Sequence, residues 1–248
     1  MTLSTPGHLS PTTRSTPRRE KERAQSDRAA LHDVLAASLI CHLGVVVDGV
    51  PLALPTVFGV DPDGPDGGGT LYLHGSVASR SLVQGPDQDV SATMTVLEGI
   101  VLARSGFNHS MNYRSAVVIG RPRVVTGEEK SHALDLVVDH VAPGRSATLR
   151  RPTRKELAAT TVLALPLHEA SVKQRVGDPG DEDFDIEAGG VWAGVIPLRL
   201  VAGDVVTGAD VDGVDVPAHV AERAESLRGG FTSGRAAPRR TTTRPGSG

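Results

Sequence analysis

The dipeptide Asp48-Gly49 separates two apolar runs, LGVVV and VPLALP, and is the strongest hairpin signal in the sequence. Asp-Gly favours the tight two-residue turn whose backbone twist matches that of two antiparallel strands. It therefore predicts one strand at about residues 39–47, a second at about 51–60, and direct pairing between them. The chain is thus expected to build an antiparallel sheet from its first strands onward.

Further short apolar segments follow at intervals that leave no room for strands and helices to alternate. We predict a strand at 70–75, a strand at 89–97 that ends in a tight turn at Glu98-Gly99, and a long strand at 113–125. The segments VLALPL and GVIPLRL supply later strands. Six or seven close-spaced strands without a strand–helix–strand rhythm indicate an α+β, mainly β fold, which is an antiparallel barrel or sandwich with flanking helices.

Helices are predicted where apolar residues recur at helical spacing behind a capping residue. The first lies in DRAALHDVLAAS, with Ser26 or Asp27 as its cap, and a short one follows at about 79–84. The segment TGEEKSHALDLVVDHV predicts a longer helix that starts near Thr126 and stops at the following Pro-Gly pair. PTRKEL has the capping-box pattern, with Thr153 as the cap.

The two ends of the chain differ in composition from its middle. Residues 1–25 are rich in Ser, Thr, Pro and Arg, and residues 207–248 are rich in Gly, Asp and Arg. Neither end has enough apolar surface to offset the entropy of ordering it. We therefore predict disordered tails at 1–25 and 207–248, and a single folded domain at 26–206.

Charge and cysteine content argue against several classes of protein. Lys and Arg number 26 against 29 Asp and Glu, and the basic residues cluster in the tails, so a nucleic-acid-binding domain is not expected. Cys41 is the single cysteine, which rules out an intramolecular disulfide and a cysteine zinc cluster. No apolar run is long enough for a membrane span, and no secretory signal is visible. A cytoplasmic protein without membrane or nucleic-acid partners is the expectation.

The segment TLYLHGSVASRSL is the best candidate for a binding site. A predicted strand ends here at His74, Gly75 and Ser76, and a predicted helix starts at Ser79 and Arg80. Unpaired backbone N–H groups at a helix start, together with a hydroxyl and a guanidinium, suit a phosphate. The same residues are also consistent with a capped helix that carries an exposed arginine and binds nothing.

Other candidates carry weaker signals. His109 precedes a strand in a polar turn, and His42 lies in an early strand, where it is partly buried or faces the surface. The spacing of these two residues and His74 gives no support to a metal site, so no metal is predicted. Ser115 begins the long strand and could reach a ligand. Trp192, the single tryptophan, is either a packing residue or a platform for a flat aromatic ligand.

Taken in order, these segments resemble the pyridoxamine 5'-phosphate oxidase-like family. The segments are HLGVVVDGVPLALPTVFGVD, TLYLHGSVASRSL, DVSATMTVLEGIVLARS, NYRSAVVIGRPRVV and the closing VWAGVIPLRL. More narrowly, they resemble its flavin-nucleotide-binding branch, which contains the Nim-type nitroimidazole-resistance proteins. The resemblance covers about residues 30–206.

The resemblance implies a split β-barrel that forms a homodimer with one FMN in each of two subunit-shared clefts. It places the flavin ring against one strand, the strand-end loop beside the ring, a Ser/Arg pair on the phosphate, a polar residue of the long strand near the cofactor, and an aromatic residue from the neighbouring subunit over the flavin. The residues that match the flavin-facing strand are Leu54, Pro55, Thr56 and Val57, and those that match the strand-end loop are His74, Gly75 and Ser76. Ser79 and Arg80 match the phosphate-binding pair, Ser115 matches the polar residue of the long strand, and Trp192 matches the aromatic residue. His74 is also the candidate catalytic residue.

The sequence departs from true pyridoxamine phosphate oxidases at three cofactor-contacting positions. Ala53, Phe58 and Ser81 stand where those enzymes carry basic residues, so oxidation of pyridoxamine 5'-phosphate is not expected. Three functions stay open at this point. They are an FMN-dependent oxidoreductase that acts on a small nitroaromatic or amine substrate, a flavin carrier or stress protein without turnover, and a haem-binding split barrel.

Overall fold

The computed structural model describes residue 9 and residues 12–229. Its strands are β1 (Ala24–Gln25), β2 (Cys41–Val47), β3 (Val50–Thr56), β4 (Phe58–Asp61), β5 (Thr70–Ser76), β6 (Val90–Leu102), β7 (Ser110–Gly120), β8 (Arg123–Val124), β9 (Thr160–Pro166), β10 (Ala170–Arg175) and β11 (Gly194–Pro197). Its helices are α1 (Arg28–Ala37), α2 (Arg80–Gln84), α3 (Gly127–Val141), α4 (Arg154–Ala159), α5 (Asp183–Ala188) and α6 (Ala218–Arg228).

The strands form two antiparallel sheets, as the α+β, mainly β prediction requires. A seven-stranded sheet has the order β1-β10-β7-β6-β2-β3, with β11 added to β6. A four-stranded sheet has the order β4-β5-β9-β8. The strand order and the antiparallel pairing match the predicted antiparallel barrel with flanking helices. Within the described part of the chain, no helix is both long and apolar enough to cross a membrane.

The small sheet lies between the large sheet and α3, which explains why β5 is apolar on both faces. Leu71 and Leu73 join the main core with residues of the large sheet and α1. Tyr72 packs on the other face, in a second core with Ala133 of α3. Side chains alternate along a strand, so His74 continues the face of Tyr72 and looks toward the α3 layer.

The predicted hairpin is confirmed at Asp48 and Gly49. Their φ angles are 51° and 80°, as a tight turn between twisted strands requires, and Val47 pairs with Val50 across it. The predicted strand at 51–60 is in fact two strands, because β3 ends at Thr56 and β4 joins the other sheet.

The predicted turn at Glu98-Gly99 is wrong. Strand β6 continues through this dipeptide to Leu102, with a bulge between Leu97 and Gly99 that shifts the register against β7. Glycine is required there for a different reason: a Cβ on Gly99 would lie 2.9 Å from Val195 Cγ1 on the paired strand β11. The signal interpreted as a turn therefore marks a bulge and a close strand contact.

The long strand predicted at 113–125 ends at Gly120, the position at which a bend was expected. Pro122 has no N–H for a ladder bond, and β8 then pairs with β9 in the other sheet. Strand β10 and helix α6 were missed by the sequence analysis.

The predicted helix starts are largely confirmed. The side chain of Asp27 accepts a hydrogen bond from the backbone N–H of Ala29 at the start of α1. Helix α3 follows Thr126 and ends before Pro143 and Gly144. At α4 the capping box is complete, with Thr153 and Glu156 each accepting a backbone hydrogen bond from the other.

Parts of both predicted tails form ordered structure. Thr12 Oγ1 donates a hydrogen bond to Glu169, and Arg14 forms an ion pair with Glu169 at 2.6 Å. Strand β1 extends the large sheet, and α6 lies beyond residue 207. The prediction of disorder is therefore corrected for 12–25 and for α6, whereas residues 207–217 form neither a helix nor a strand. The remaining tail residues, 1–8, 10–11 and 230–248, lie outside the described part of the chain.

Candidate functional site

The end of β5 and the start of α2 enclose a small cavity of about 160 Å³, called here the strand-end cavity. Its walls come from three strands and one helix. They are Leu43, Leu54, Pro55, Thr56, Leu73, His74, Gly75, Ser79, Ser81 and Leu82. The cavity therefore gathers six of the predicted cofactor-binding residues from three separate segments of the chain.

Two serines supply the hydroxyl groups of the strand-end cavity. Ser79 Oγ and Ser81 Oγ lie 3.0 Å apart, and Ser79, the residue before α2, makes no capping bond with its side chain. Both hydroxyls can therefore turn toward an anion. Ser81 was noted only as a departure from a basic residue, and the structure makes it part of the wall.

Gly75 sits where β5 passes α2. A Cβ at this position would lie 2.7 Å from Leu82 Cδ1, so any larger residue would require Leu82 to move. Ser76 and Val57, which were also predicted to bind the cofactor, do not line the cavity. Ser76 Oγ accepts a bond from the N–H of Ala78, and the carbonyl of Val57 accepts one from Thr56 Oγ1.

Arg80, the predicted phosphate-binding cation, points away from this cavity. Its side chain is 68% exposed and forms an ion pair with Asp48 in the β2–β3 hairpin. It is not among the residues that line the strand-end cavity. Phosphate binding by Arg80 stays a prediction that requires the guanidinium to leave Asp48.

Four other candidates lie elsewhere. Ser115 is in the middle of β7, in register with Thr95 and Lys173, and does not line the strand-end cavity. Trp192 is 67% exposed in the loop before β11. His109 Nδ1 lies 2.8 Å from the carbonyl of Ser105, His42 is exposed on β2, and neither histidine lines the strand-end cavity.

A second cavity, of about 440 Å³, lies between β5, β9, α3, α4 and the loop before α4, and is called here the helix cavity. Most of its wall is apolar. The residues are His74, Leu134, Val137, Val138, Leu149, Arg150, Pro152, Glu156, Leu157 and Thr160. Its volume falls within the range of about 300–1,000 Å³ that is usual for small-molecule sites.

His74 contributes to both cavities and carries an unsatisfied atom. Its Nδ1 is buried and has no hydrogen-bond partner in the described part of the chain. Burial lowers the pKa of its imidazole, because the charged form loses its hydration. His74 is therefore a neutral ring at pH 7, with one nitrogen lone pair and one N–H to offer.

Arg150 and Glu156 are the charged pair in the wall of the helix cavity. The Arg150 Nη atoms lie 2.6 and 2.9 Å from the two carboxylate oxygens of Glu156. Hydrogen bonds from Arg150 and from the backbone of Thr153 lower the pKa of Glu156 to about 2. The carboxylate is thus charged over the whole physiological range.

The sequence analysis missed the helix cavity as a site. The sequence predicted a helix in TGEEKSHALDLVVDHV and a capping box in PTRKEL, without a site at either segment. Leu134 and Val138 border the cavity, whereas Ala133 is fully buried.

A third cavity, of about 620 Å³, lies between the end of α1, the middle of β6 and residues 198–200. Large apolar side chains near it are exposed, including Ile40, Leu97 and Leu200. None of the predicted site residues lines it.

Comparisons with known proteins identify similar sequences and folds. A model of the pyridoxamine 5'-phosphate oxidase family matches residues 27–174. The flavocytochrome Anf3 from Azotobacter vinelandii is 33% identical, with a TM-score of 0.77 over 86% of this chain and 98% of that one. The FAD and haem binding protein from Mycobacterium smegmatis is 37% identical, with a TM-score of 0.74 over 84% of this chain and 98% of that one. No curated protein sequence matches the chain.

Proposed function

The chain belongs to the pyridoxamine 5'-phosphate oxidase family, and from this premise we propose that it is a redox protein that binds a flavin at the strand-end cavity and a haem in the helix cavity. Two similar solved structures support the pair of cofactors. One is described as a flavocytochrome and the other as an FAD and haem binding protein. The matches cover 86% and 84% of this chain, so the similarity extends beyond the residues of the family match.

The flavin proposal rests on the residues around the end of β5. Leu54, Pro55 and Thr56 border the strand-end cavity beside Gly75, as the family resemblance implies for the ring of FMN. Hydroxyls of Ser79 and Ser81 are available to the phosphate. At 160 Å³ the cavity is smaller than usual cofactor sites, so only part of the flavin fits within it. FMN is implied by the family and FAD by one relative, so both are tested below.

The haem proposal rests on one observation, the state of His74. A neutral imidazole with an unsatisfied nitrogen borders an apolar cavity of about 440 Å³, a combination that suits a haem with an axial histidine. The buried Nδ1 would otherwise remain an unpaired polar atom, which costs about 1–3 kcal/mol. Binding of the haem iron at Nδ1 would give that nitrogen a partner.

When bound, the flavin supplies one- and two-electron chemistry and the haem supplies one-electron and O₂ chemistry. The chain's contribution is position and environment. His74 offers a lone pair without first losing a proton, because burial keeps its imidazole neutral. The wall residues Leu134, Val137 and Leu157 offer apolar surface to a ring in the helix cavity. Thr56 and Ser79 carry the hydroxyls that can orient a group in the strand-end cavity.

We also propose that the protein is a homodimer and an oxidoreductase for a small substrate such as a nitroaromatic compound or an amine. The apolar side chains exposed around the third cavity, Leu97 and Leu200 among them, support a further chain against this face.

The spectrum of the purified protein and the mass of its released cofactors test the proposal. We expect flavin absorption near 370 and 450 nm together with a haem band near 400 nm, wavelengths about where these cofactors absorb in general. The mass of the released flavin distinguishes FMN from FAD. A colourless protein that takes up neither haemin nor either flavin would overturn the proposal.

A further inference from the structure

We propose that Arg150 recognises the carboxylates of a ligand in the helix cavity, and that Glu156 pairs with Arg150 when no such ligand is bound. The inference rests on the proposed function, because the propionates of a haem are the expected carboxylates. It adds what neither the family nor the similar structures state, namely which side chain selects for the acidic groups and which one competes for it.

Arg150 is well placed for this role. It lines a cavity whose wall is otherwise mostly apolar, and its guanidinium already makes a two-bond contact with a carboxylate. Its side chain is 69% exposed, so it can turn without breaking a packed core. An exposed ion pair contributes little stability, so exchanging Glu156 for another carboxylate costs little.

The carboxylate of Glu156 keeps a hydrogen-bond donor when Arg150 turns away. Its Oε2 also accepts a hydrogen bond from the backbone N–H of Thr153 at 2.7 Å, and Thr153 Oγ1 in turn accepts one from the N–H of Glu156. The capping box therefore fixes Glu156 at the start of α4 whether or not Arg150 is present. One member of the ion pair is anchored and the other is free to move.

The neighbouring arginine provides the contrast. Arg151 forms an ion pair with Asp135 at 2.7 Å, is similarly exposed, and does not line the helix cavity. Two adjacent guanidiniums thus have the same chemistry and comparable exposure, but only one borders the cavity. They form a matched pair for mutation.

The experiment compares haemin with haemin dimethyl ester, which keeps the ring and the iron but lacks free carboxylates. Both are titrated by absorbance into the full chain and into three variants: Arg150→Met, Arg151→Met and Glu156→Gln. Glutamine at this position preserves the capping box, so α4 keeps its start. Thermal unfolding of each variant confirms that it is folded.

For Arg150→Met we expect haemin binding to weaken by about tenfold, because a charge-assisted hydrogen bond is lost. Binding of the ester should change by less than about twofold, and Arg151→Met should leave both affinities unchanged. For Glu156→Gln we expect haemin to bind about two- to fivefold more tightly, because the competing carboxylate is gone.

Equal effects of Arg150→Met on haemin and on its ester would overturn the inference, as would an equal loss in Arg151→Met. Both results leave the haem proposal standing, because the ester still binds the cavity. If neither haemin nor the ester binds the unmodified chain, the proposed function fails and the inference fails with it.

Discussion

The guanidinium of Arg80 forms an ion pair with the carboxylate of Asp48, which joins the start of α2 to the β2–β3 hairpin. The pair is reinforced beside it, where Gln84 Nε2 donates a hydrogen bond to Asp48 Oδ1 at 2.9 Å. Both partners of the ion pair are exposed, so its net stabilisation is at most about 1 kcal/mol. A phosphate near Ser79 would compete with Asp48 for the same cation.

Replacement of Asp48 by Asn is expected to tighten flavin binding by up to about fivefold, because Arg80 loses its competing carboxylate. Asn keeps the hairpin, since it tolerates the positive φ at this position. Arg80→Ala should weaken binding, and both effects can be measured by fluorescence titration with FMN and FAD. Unchanged affinity in both variants would show that the phosphate lies away from Arg80.

His74→Gln is expected to abolish the haem absorption band while leaving most of the flavin in place. Glutamine keeps a polar side chain of similar length but is a poor ligand for haem iron, whereas Leu54, Thr56 and Ser79 still border the strand-end cavity. Absorbance of the purified variant at the flavin and haem bands gives both occupancies. Full haem retention in this variant would exclude His74 as the axial ligand.

Arg123 should govern a pH-dependent part of the stability. Its guanidinium lies 2.9 Å from Asp66 and also bonds to Glu129, which accepts a hydrogen bond from Tyr72 at 3.1 Å. Arg123 lowers the pKa of both carboxyl groups below their ordinary values. Around these pKa values the two carboxyl groups bind fewer protons in the folded state than in the unfolded state. Their contribution to the free energy of unfolding is therefore full above about pH 5, and it is lost as the pH falls through their pKa values in the folded state.

We therefore expect Arg123→Met to lower the free energy of unfolding by about 1–2 kcal/mol at pH 7, a range reduced for the partial exposure of the pair. The difference from the unmodified chain should shrink as the pH falls from 5 toward 2. Urea unfolding at a series of pH values measures both. A constant difference over this range would mean that the loss comes from packing and not from charge.

Leu97→Asp is expected to weaken the proposed dimer and to release flavin. Leu97 is exposed beside the third cavity, so a charge there should be tolerated by a monomer but not beneath a second chain. Light scattering after size exclusion gives the mass, with Val211→Ser as a control at another exposed apolar position. An unmodified chain that runs as a monomer and keeps its yellow colour would contradict the shared cleft.

The strand-end cavity was predictable because its parts are local signals. A run of three apolar residues, Leu71 to Leu73, located β5, a glycine followed at residue 75, and hydroxyl residues marked the start of α2. The family resemblance then added Leu54, Pro55 and Thr56 from another strand. The direction of Arg80 was not predictable, because its partner Asp48 is 32 positions earlier and only the folded hairpin brings the two together.

The helix cavity could not be predicted from the sequence, for a different reason. A cavity is space that side chains leave unfilled, and the apolar residues of α3 look the same whether they fill a core or border a void. Likewise, nothing in the spacing of His74 and Arg150 indicates that they share a wall. The turn predicted at Glu98-Gly99 failed because a glycine that leaves space for a neighbouring strand looks the same in a sequence as a glycine that permits a turn.

The contact between the amino-terminal segment and Glu169 has a practical consequence for anyone who shortens this protein. The Glu169 side chain is 6% exposed, and its charge is compensated by Arg14, which also bridges to Asp89. A version trimmed to begin at residue 26 would lack Arg14, so the Glu169 carboxylate would lie buried against the sheet without its counterion. Poor expression of such a version would then result from the loss of this segment. The amino-terminal segment should therefore be retained, although its composition makes it look dispensable.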